Sequence, residues 1–255
     1  MAAIDEYSVS TAPIQMYFDQ TPLSLGTAFV WQDGQSYFLI TNWHNLSGRN
    51  PISNKHLSPT AAEPNMVKVW LNERDKLGSK HSVMLRIQDQ DGQPLWLTHP
   101  RFGNKVDVVA LPLSHDSRTE MYPINKMPTR DLSIQVGMEV FILGYPFGLS
   151  LAQLPIWKRG SIASEPEILD DNQPCILIDT ASRPGMSGSP IIRRSWGMHF
   201  YRNGDSGVGS GSATALLGIY SGRLTTADPL DAQLGLAWPA TLIPEIVSAQ
   251  RRDTR

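Results

Sequence analysis

Three short segments carry side chains that together can cleave an acyl bond. In Phe38-Leu-Ile-Thr-Asn-Trp-His-Asn45 an apolar run leads directly into His44. In Val106-Asp-Val-Val-Ala-Leu-Pro112 one carboxylate, Asp107, stands at the head of an otherwise apolar strand. In Arg183-Pro-Gly-Met-Ser-Gly-Ser-Pro-Ile191 small residues surround Ser187. A serine hydroxyl is inert alone and needs a histidine to take its proton. That histidine needs an acceptor on its other nitrogen to fix its tautomer. A lone buried carboxylate is costly unless paired, so Asp107 wants a partner. The glycines near Ser187 permit a tight turn that aims the N–H groups of Gly185 and Ser187 at one point, as a developing oxyanion requires. Taken singly, each segment has a plainer reading: a structural histidine, a capping aspartate, an ordinary turn. The order His, Asp, Ser, each in its own local context, favours joint chemistry.

The elements that must position these groups read as β-structure. Thr27–Trp31 and Ser36–Thr41 flank Asp33-Gly34, a strong hairpin signal. Val83–Ile87 and Pro94–Leu97 flank Asp91-Gly92 in the same way, and Val106–Leu111 reads as a buried strand. A polar stretch with Pro123 and Pro128 follows, long enough to hold a short strand of its own. A second set of strands is expected at Glu139–Leu143, Gly160–Ala163, Cys175–Asp179, Pro190–Ile192 and Ala215–Tyr220. Gly204–Ser212 is rich in Gly and Ser and reads as a mobile loop. Pro239–Gln250 is the one good helix, with Ile243, Ile246 and Val247 on one face. Many short strands with a helix only at the end mark an all-β barrel or sandwich protein.

These motifs resemble the trypsin-like peptidase family, and more closely its bacterial HtrA-type branch. Thr41-Asn-Trp-His44 stands where that family has Thr-Ala-x-His, and Val106–Leu111 is similar to its Asp-Ile/Val-Ala-Leu strand. Gly185-Met-Ser-Gly-Ser-Pro190 matches its Gly-x-Ser-Gly-Gly/Ser-Pro. Leu143-Gly-Tyr-Pro-Phe-Gly-Leu149 and Asp179-Thr-Ala-Ser-Arg-Pro-Gly185 are similar to two further family stretches, and the likeness runs from about Gly26 to Ile246. The resemblance implies two six-stranded antiparallel Greek-key barrels of chymotrypsin-like type with a C-terminal helix. Residues 1–120 would form the barrel with His44 and Asp107, residues 121–135 a connection, and residues 136–255 the barrel with Ser187 and the helix, together one peptidase domain. It implies a serine endopeptidase acting through an acyl-enzyme, with Gly185 and Ser187 as the oxyanion hole. By position, Ala181 would floor the primary specificity pocket and Tyr220, Ser221, Gly222 and Arg223 would form one wall. A small neutral floor predicts an apolar or small preference and excludes a Lys or Arg preference, while Arg223, if it projects towards the cleft, would favour acidic groups.

Three departures stand out. Met186 replaces the aspartate that pairs with a newly cut N-terminus in secreted digestive members, so activation by propeptide cleavage is not expected. Trp43 is bulky beside the histidine, and no PDZ-like segment follows Ile246.

Composition bounds the partners. In 255 residues, 41% are hydrophobic, enough for a packed core. The net charge of -2 gives no reason to expect nucleic acid. The single cysteine, Cys175, forbids an internal disulfide, and it reads as a buried small hydrophobe. No secretory signal is evident at Met1–Ser10 and no stretch reaches the length of a membrane span. A reducing, cytoplasmic setting without membrane contact fits. His56, His81, His99, His115 and His199 lack metal-ligand spacing, so neither metal nor cofactor is expected. Ser189 lies two residues past the motif serine, and neither serine sits in a Gly-x-Ser-x-Gly elbow. The expected partners are a protein or peptide substrate and a regulatory partner or flanking domain that restrains activity. Two other functions stay open: a non-catalytic relative that binds peptides in the cleft, and an esterase using the same three groups.

Overall fold

In a computed structural model, which describes residues 4–114, 116–150, 153–170, 173–223 and 234–254, the chain builds two β-units with short helices at their edges. A short helix α1 (Glu6–Ser10) leads into β1 (Thr11–Phe18), β2 (Thr21–Asp33) and β3 (Ser36–Thr41). Helix α2 (Trp43–Ser47) is followed by β4 (Met66–Glu73), β5 (Lys80–Arg86), β6 (Val109–Leu113) and the two-residue β7 (Thr119–Glu120). The second unit holds β8 (Glu139–Gly144), β9 (Ile156–Ile162), β10 (Ile176–Asp179), β11 (Pro190–Phe200), β12 (Ser206–Arg223) and β13 (Leu234–Pro239), and the described chain closes with α3 (Leu242–Ala249).

The first sheet runs β5-β4-β1-β2-β3-β6, with β7 added beside β4. Residues 94–97 roll it shut. Leu95 donates to the Ile87 carbonyl at 3.0 Å, and Leu97 and Ala110 exchange bonds of 2.8 and 3.1 Å. The second unit is a closed barrel in the order β10-β13-β12-β11-β8-β9. Every pairing in both is antiparallel. The hairpin signal at Asp33-Gly34 is realised one residue on. Asp33 pairs with Ser36, leaving Gly34 and Gln35 as a two-residue turn with Gly34 at φ +54°.

Strand residues alternate between two buried faces, which is why the sequence shows continuous apolar runs. Val30, Leu39, Val109 and Leu111 fill the first barrel. Phe29, Phe38, Ile40 and Ala110 point the other way, into a core shared with Leu143, Ile192, Trp238 and α3. The α3 face predicted from spacing is buried there through Ile243, Ile246 and Val247. The barrels are further tied by crossing ends. Trp157 Nε1 donates to Ser8 Oγ at 2.8 Å, and the Arg194 guanidinium binds Asp5. At the far end, Asp253 Oδ2 accepts from the indole N–H of Trp43 at 2.8 Å and Trp96 at 3.0 Å. Trp43 is therefore absorbed into the first barrel and does not crowd His44.

The expected mobile loop is not found. Gly204–Ser212 is not a loop beyond its first residues. β11 and β12 form a long hairpin in which Phe200 pairs with Ser206 and Trp196 with Ser212, so only residues 201–205 turn. Main-chain pairing with a long partner strand needs no side chain, so it overrides the poor strand preference of Gly and Ser.

Candidate active site

His44 and Asp107 meet at the end of β3. The strand stops at Thr41, Asn42 takes an extended conformation at the N-cap, and His44 falls in the first turn of α2. Asp107 lies two residues before β6, earlier than its expected place within a strand. Its carboxylate is bonded three times. Oδ1 accepts from the His44 main-chain N–H at 2.8 Å, Oδ2 contacts His44 Nδ1 at 2.6 Å, and Ser221 Oγ donates to Oδ2. Asn42 Nδ2 donates to the Asp107 carbonyl at 2.7 Å and fixes the backbone behind it. Asp107 is 0% exposed between the buried Val106 and Val108, so these bonds replace the water it has lost. The His44 ring is 15% exposed. With Nδ1–H turned to the carboxylate, Nε2 is left as the basic nitrogen.

Ser187 sits on a loop held almost wholly by main chain. Thr27 N–H donates to the Ser187 carbonyl at 2.8 Å, and Thr27 Oγ1 donates to the Gly185 carbonyl at 2.7 Å. Gly188 N–H donates to the Tyr220 carbonyl at 2.8 Å. The Pro184 carbonyl is turned away to accept from Phe147 N–H at 2.7 Å. Two positions tolerate only glycine. Gly185 has φ +91° and a Cβ there would lie 2.3 Å from the Tyr145 carbonyl oxygen; Gly188 has φ +88° and a Cβ there would lie 2.0 Å from that of Thr27. Among the described residues the N–H groups of Gly185 and Ser187 have no acceptor.

The two halves converge. Asn45, next to His44, donates to the Ser187 carbonyl at 3.2 Å. Gly222, next to the serine that binds Asp107, would place a Cβ 3.7 Å from Ser187 Oγ. No hydrogen bond joins His44 to Ser187 among the described residues, a contact that commonly tightens only with substrate bound. Ser189 is sealed beneath the loop: it is fully buried, and Gly144 packs against its hydroxyl. Met186 fills the second barrel's interior.

Beside the serine loop, Ala181 and Tyr220 line a small pocket with Ile142, Thr180, Ser182 and Met186. Ser221 and Gly222 lie instead against Asp107 and Ser187. The main chain of Arg223 pairs with Gly235, and its side chain lies outside the described residues. Lys158 was missed. It lines the same pocket and donates to Thr180 Oγ1 at 3.0 Å. Burial, then the nearby Arg183 charge, hold its ammonium below the usual lysine range. The signal was there: Lys158, Gly160 and Ile162 fall on one face of β9, but the strand expected at Gly160 begins at Ile156.

The remaining tempting residues have local partners. Cys175 is half-buried just ahead of β10, and burial and Asp170 push its thiol up. His56 contacts Glu63, His81 contacts Thr119, His99 binds Glu245 and His199 binds Ser195; His115 lies outside the described residues.

Two antiparallel barrels with these groups at their junction define the chymotrypsin-like class. Residues 26–198 match the family model of the trypsin-like peptidase domain, and the chain belongs to that family, in keeping with the HtrA-type likeness of its motifs. It is a serine endopeptidase by membership. No curated protein matches its sequence. Among solved structures, Deg5 aligns over 94% of this chain and 88% of its own at TM-score 0.54 and 15% identity. A serine endoprotease from Yersinia pestis aligns over 98% and 68% at 0.54 and 13%. The Rv3671c protease from M. tuberculosis in its active form aligns over 97% and 83% at 0.51 and 19%. At these identities the likeness is one of fold.

Proposed function

We propose that Ser187, His44 and Asp107 act as one catalytic unit that hydrolyses peptide bonds through an acyl-enzyme. The observation that carries this is the pairing of a fully buried Asp107 with His44 Nδ1 and N–H, beside two main-chain N–H groups that have no acceptor among the described residues. Ser187 Oγ attacks the scissile carbonyl as His44 Nε2 takes its proton. The N–H groups of Gly185 and Ser187 receive the oxyanion. The amine leaves with the proton from His44, and water repeats the sequence to free the acid. Asp107 orients the ring and stabilises its cationic form, and Ser221 steadies Asp107. Residues 1–120 and 136–255, joined by 121–135, work as one peptidase domain.

The same reading takes the enzyme to be intracellular, in line with its single cysteine, and restrained by a partner or flanking domain. Among the described residues no helix is long and apolar enough to cross a membrane. The test is digestion of unfolded casein. Fragments from the parent chain and none from Ser187→Ala are expected; cleavage of an activated ester with intact casein would point to the esterase instead. Full constitutive activity of the purified chain would remove the need for a restraining partner.

A further inference from the structure

Strand β9 carries a cation into the second barrel. Directly opposed residues in an antiparallel pair share a face. Lys158 is opposed by Ile142, which is fully buried in the barrel interior. The Lys158 stem therefore runs along the inner wall, and its ammonium reaches Thr180 Oγ1 at the barrel mouth. The pocket it lines lies directly behind the serine loop, sharing Met186 and Tyr220 with it. The side chains there close on one another with no water-sized void.

The charge at this mouth is unbalanced. Thr180 is a neutral acceptor. Among the described residues no carboxylate pairs with Lys158, whereas its neighbour Arg159, on the outer face, pairs with Glu139. Arg183 adds a second positive charge, and among the described residues its guanidinium makes one hydrogen bond, from Nη1 to the Ser182 carbonyl at 2.9 Å. A partly buried ammonium with no counter-ion is costly, and an entering carboxylate recovers that cost through a charge-assisted bond. A Lys or Arg side chain would be repelled, and an apolar one would strip the ammonium of water without replacing it.

We propose that Lys158 determines specificity, and that its partly exposed ammonium, at the mouth of this closed pocket, takes the carboxylate of an Asp or Glu on the acyl side of the scissile bond. The proposal rests on Ser187 being the nucleophile of a peptidase. It replaces the apolar or small preference drawn from Ala181, because Lys158 lies in the part of β9 ahead of the strand expected at Gly160–Ala163.

Binding to the Ser187→Ala chain separates this proposal from catalysis. Fluorescent peptides alike except for a final Glu, Gln, Val or Lys are titrated by anisotropy at low salt. The Glu peptide is expected to bind at least about tenfold more tightly than the Gln peptide. Lys158→Met and Lys158→Gln are expected to bring that ratio close to one. Equal binding of Glu and Gln peptides, no binding of the Glu peptide up to millimolar concentration, or a ratio that survives both substitutions would overturn the proposal. The parent comparison stands even if one variant does not fold. Failure of the peptidase reading shows separately, as loss of casein cleavage in the chain with Ser187 intact.

Discussion

The two barrels secure their halves of the site by different means. The first fixes His44 through side-chain chemistry, with a buried carboxylate that binds the ring, the main chain and Ser221 at once. Ser187, carried by the second, is held mainly through its loop's own backbone, which bonds the Thr27 and Phe147 N–H groups, the Tyr220 carbonyl and the Thr27 and Asn45 side chains. The difference teaches where each half is fragile. The first should fail when an atom changes identity at constant shape, the second when a single Cβ is added.

Asp107→Asn is the sharpest attack on the first half. It keeps the shape but offers a donor to His44 Nδ1 and so selects the wrong tautomer. A fall of roughly 10³–10⁴ in kcat with little change in Tm is expected from steady-state kinetics and calorimetry. Gly185→Ala attacks the second half. The new Cβ meets the Tyr145 carbonyl at 2.3 Å at a φ of +91°, so the loop must shift and its N–H groups lose their aim. A loss of roughly 10²–10³ in kcat is expected, with a lower Tm. If Asp107→Asn cost less than Gly185→Ala, the contrast between the halves would break. Ser221→Ala removes one of three bonds to Asp107 and should cost about tenfold in kcat/KM.

A separate effect concerns stability. Among the described residues the buried Lys80, in the first barrel, is bonded only to neutral acceptors. Its Nζ donates to the Thr11 carbonyl at 3.1 Å and to Asn72 Oδ1 at 3.0 Å, and burial lowers its pKa to about 7. The unfolded chain holds this proton up to its ordinary value of 10.5. Between these values the unfolded state binds more protons, so stability rises with pH, by up to ~1.4 kcal/mol per pH unit. Below pH 7 both states are protonated and the penalty is fully present. Urea melts of Lys80→Met should lack this rise between pH 7 and 10.

Much of this was legible from residue order. The His44, Asp107 and Ser187 segments, the α3 face and the Asp33-Gly34 hairpin follow from local pattern, because each is dictated by its own neighbours. What escaped depends on pairing across the chain. The Gly204–Ser212 stretch becomes strand only because residues 196–200 lie beside it. Ser221 gains its bond to Asp107 from 114 residues away. Lys158 acquires meaning only once Ile142 and Thr180 are opposite it. Short-range spacing carries no record of such partners.

The most direct test of the central claim is labelling with a fluorophosphonate, read by mass spectrometry of the digested protein. The account predicts one adduct, on Ser187, that is lost in Ser187→Ala and strongly slowed in Asp107→Asn, with Ser189 unmodified. Labelling of Ser189, or no labelling of a folded parent chain, would contradict it.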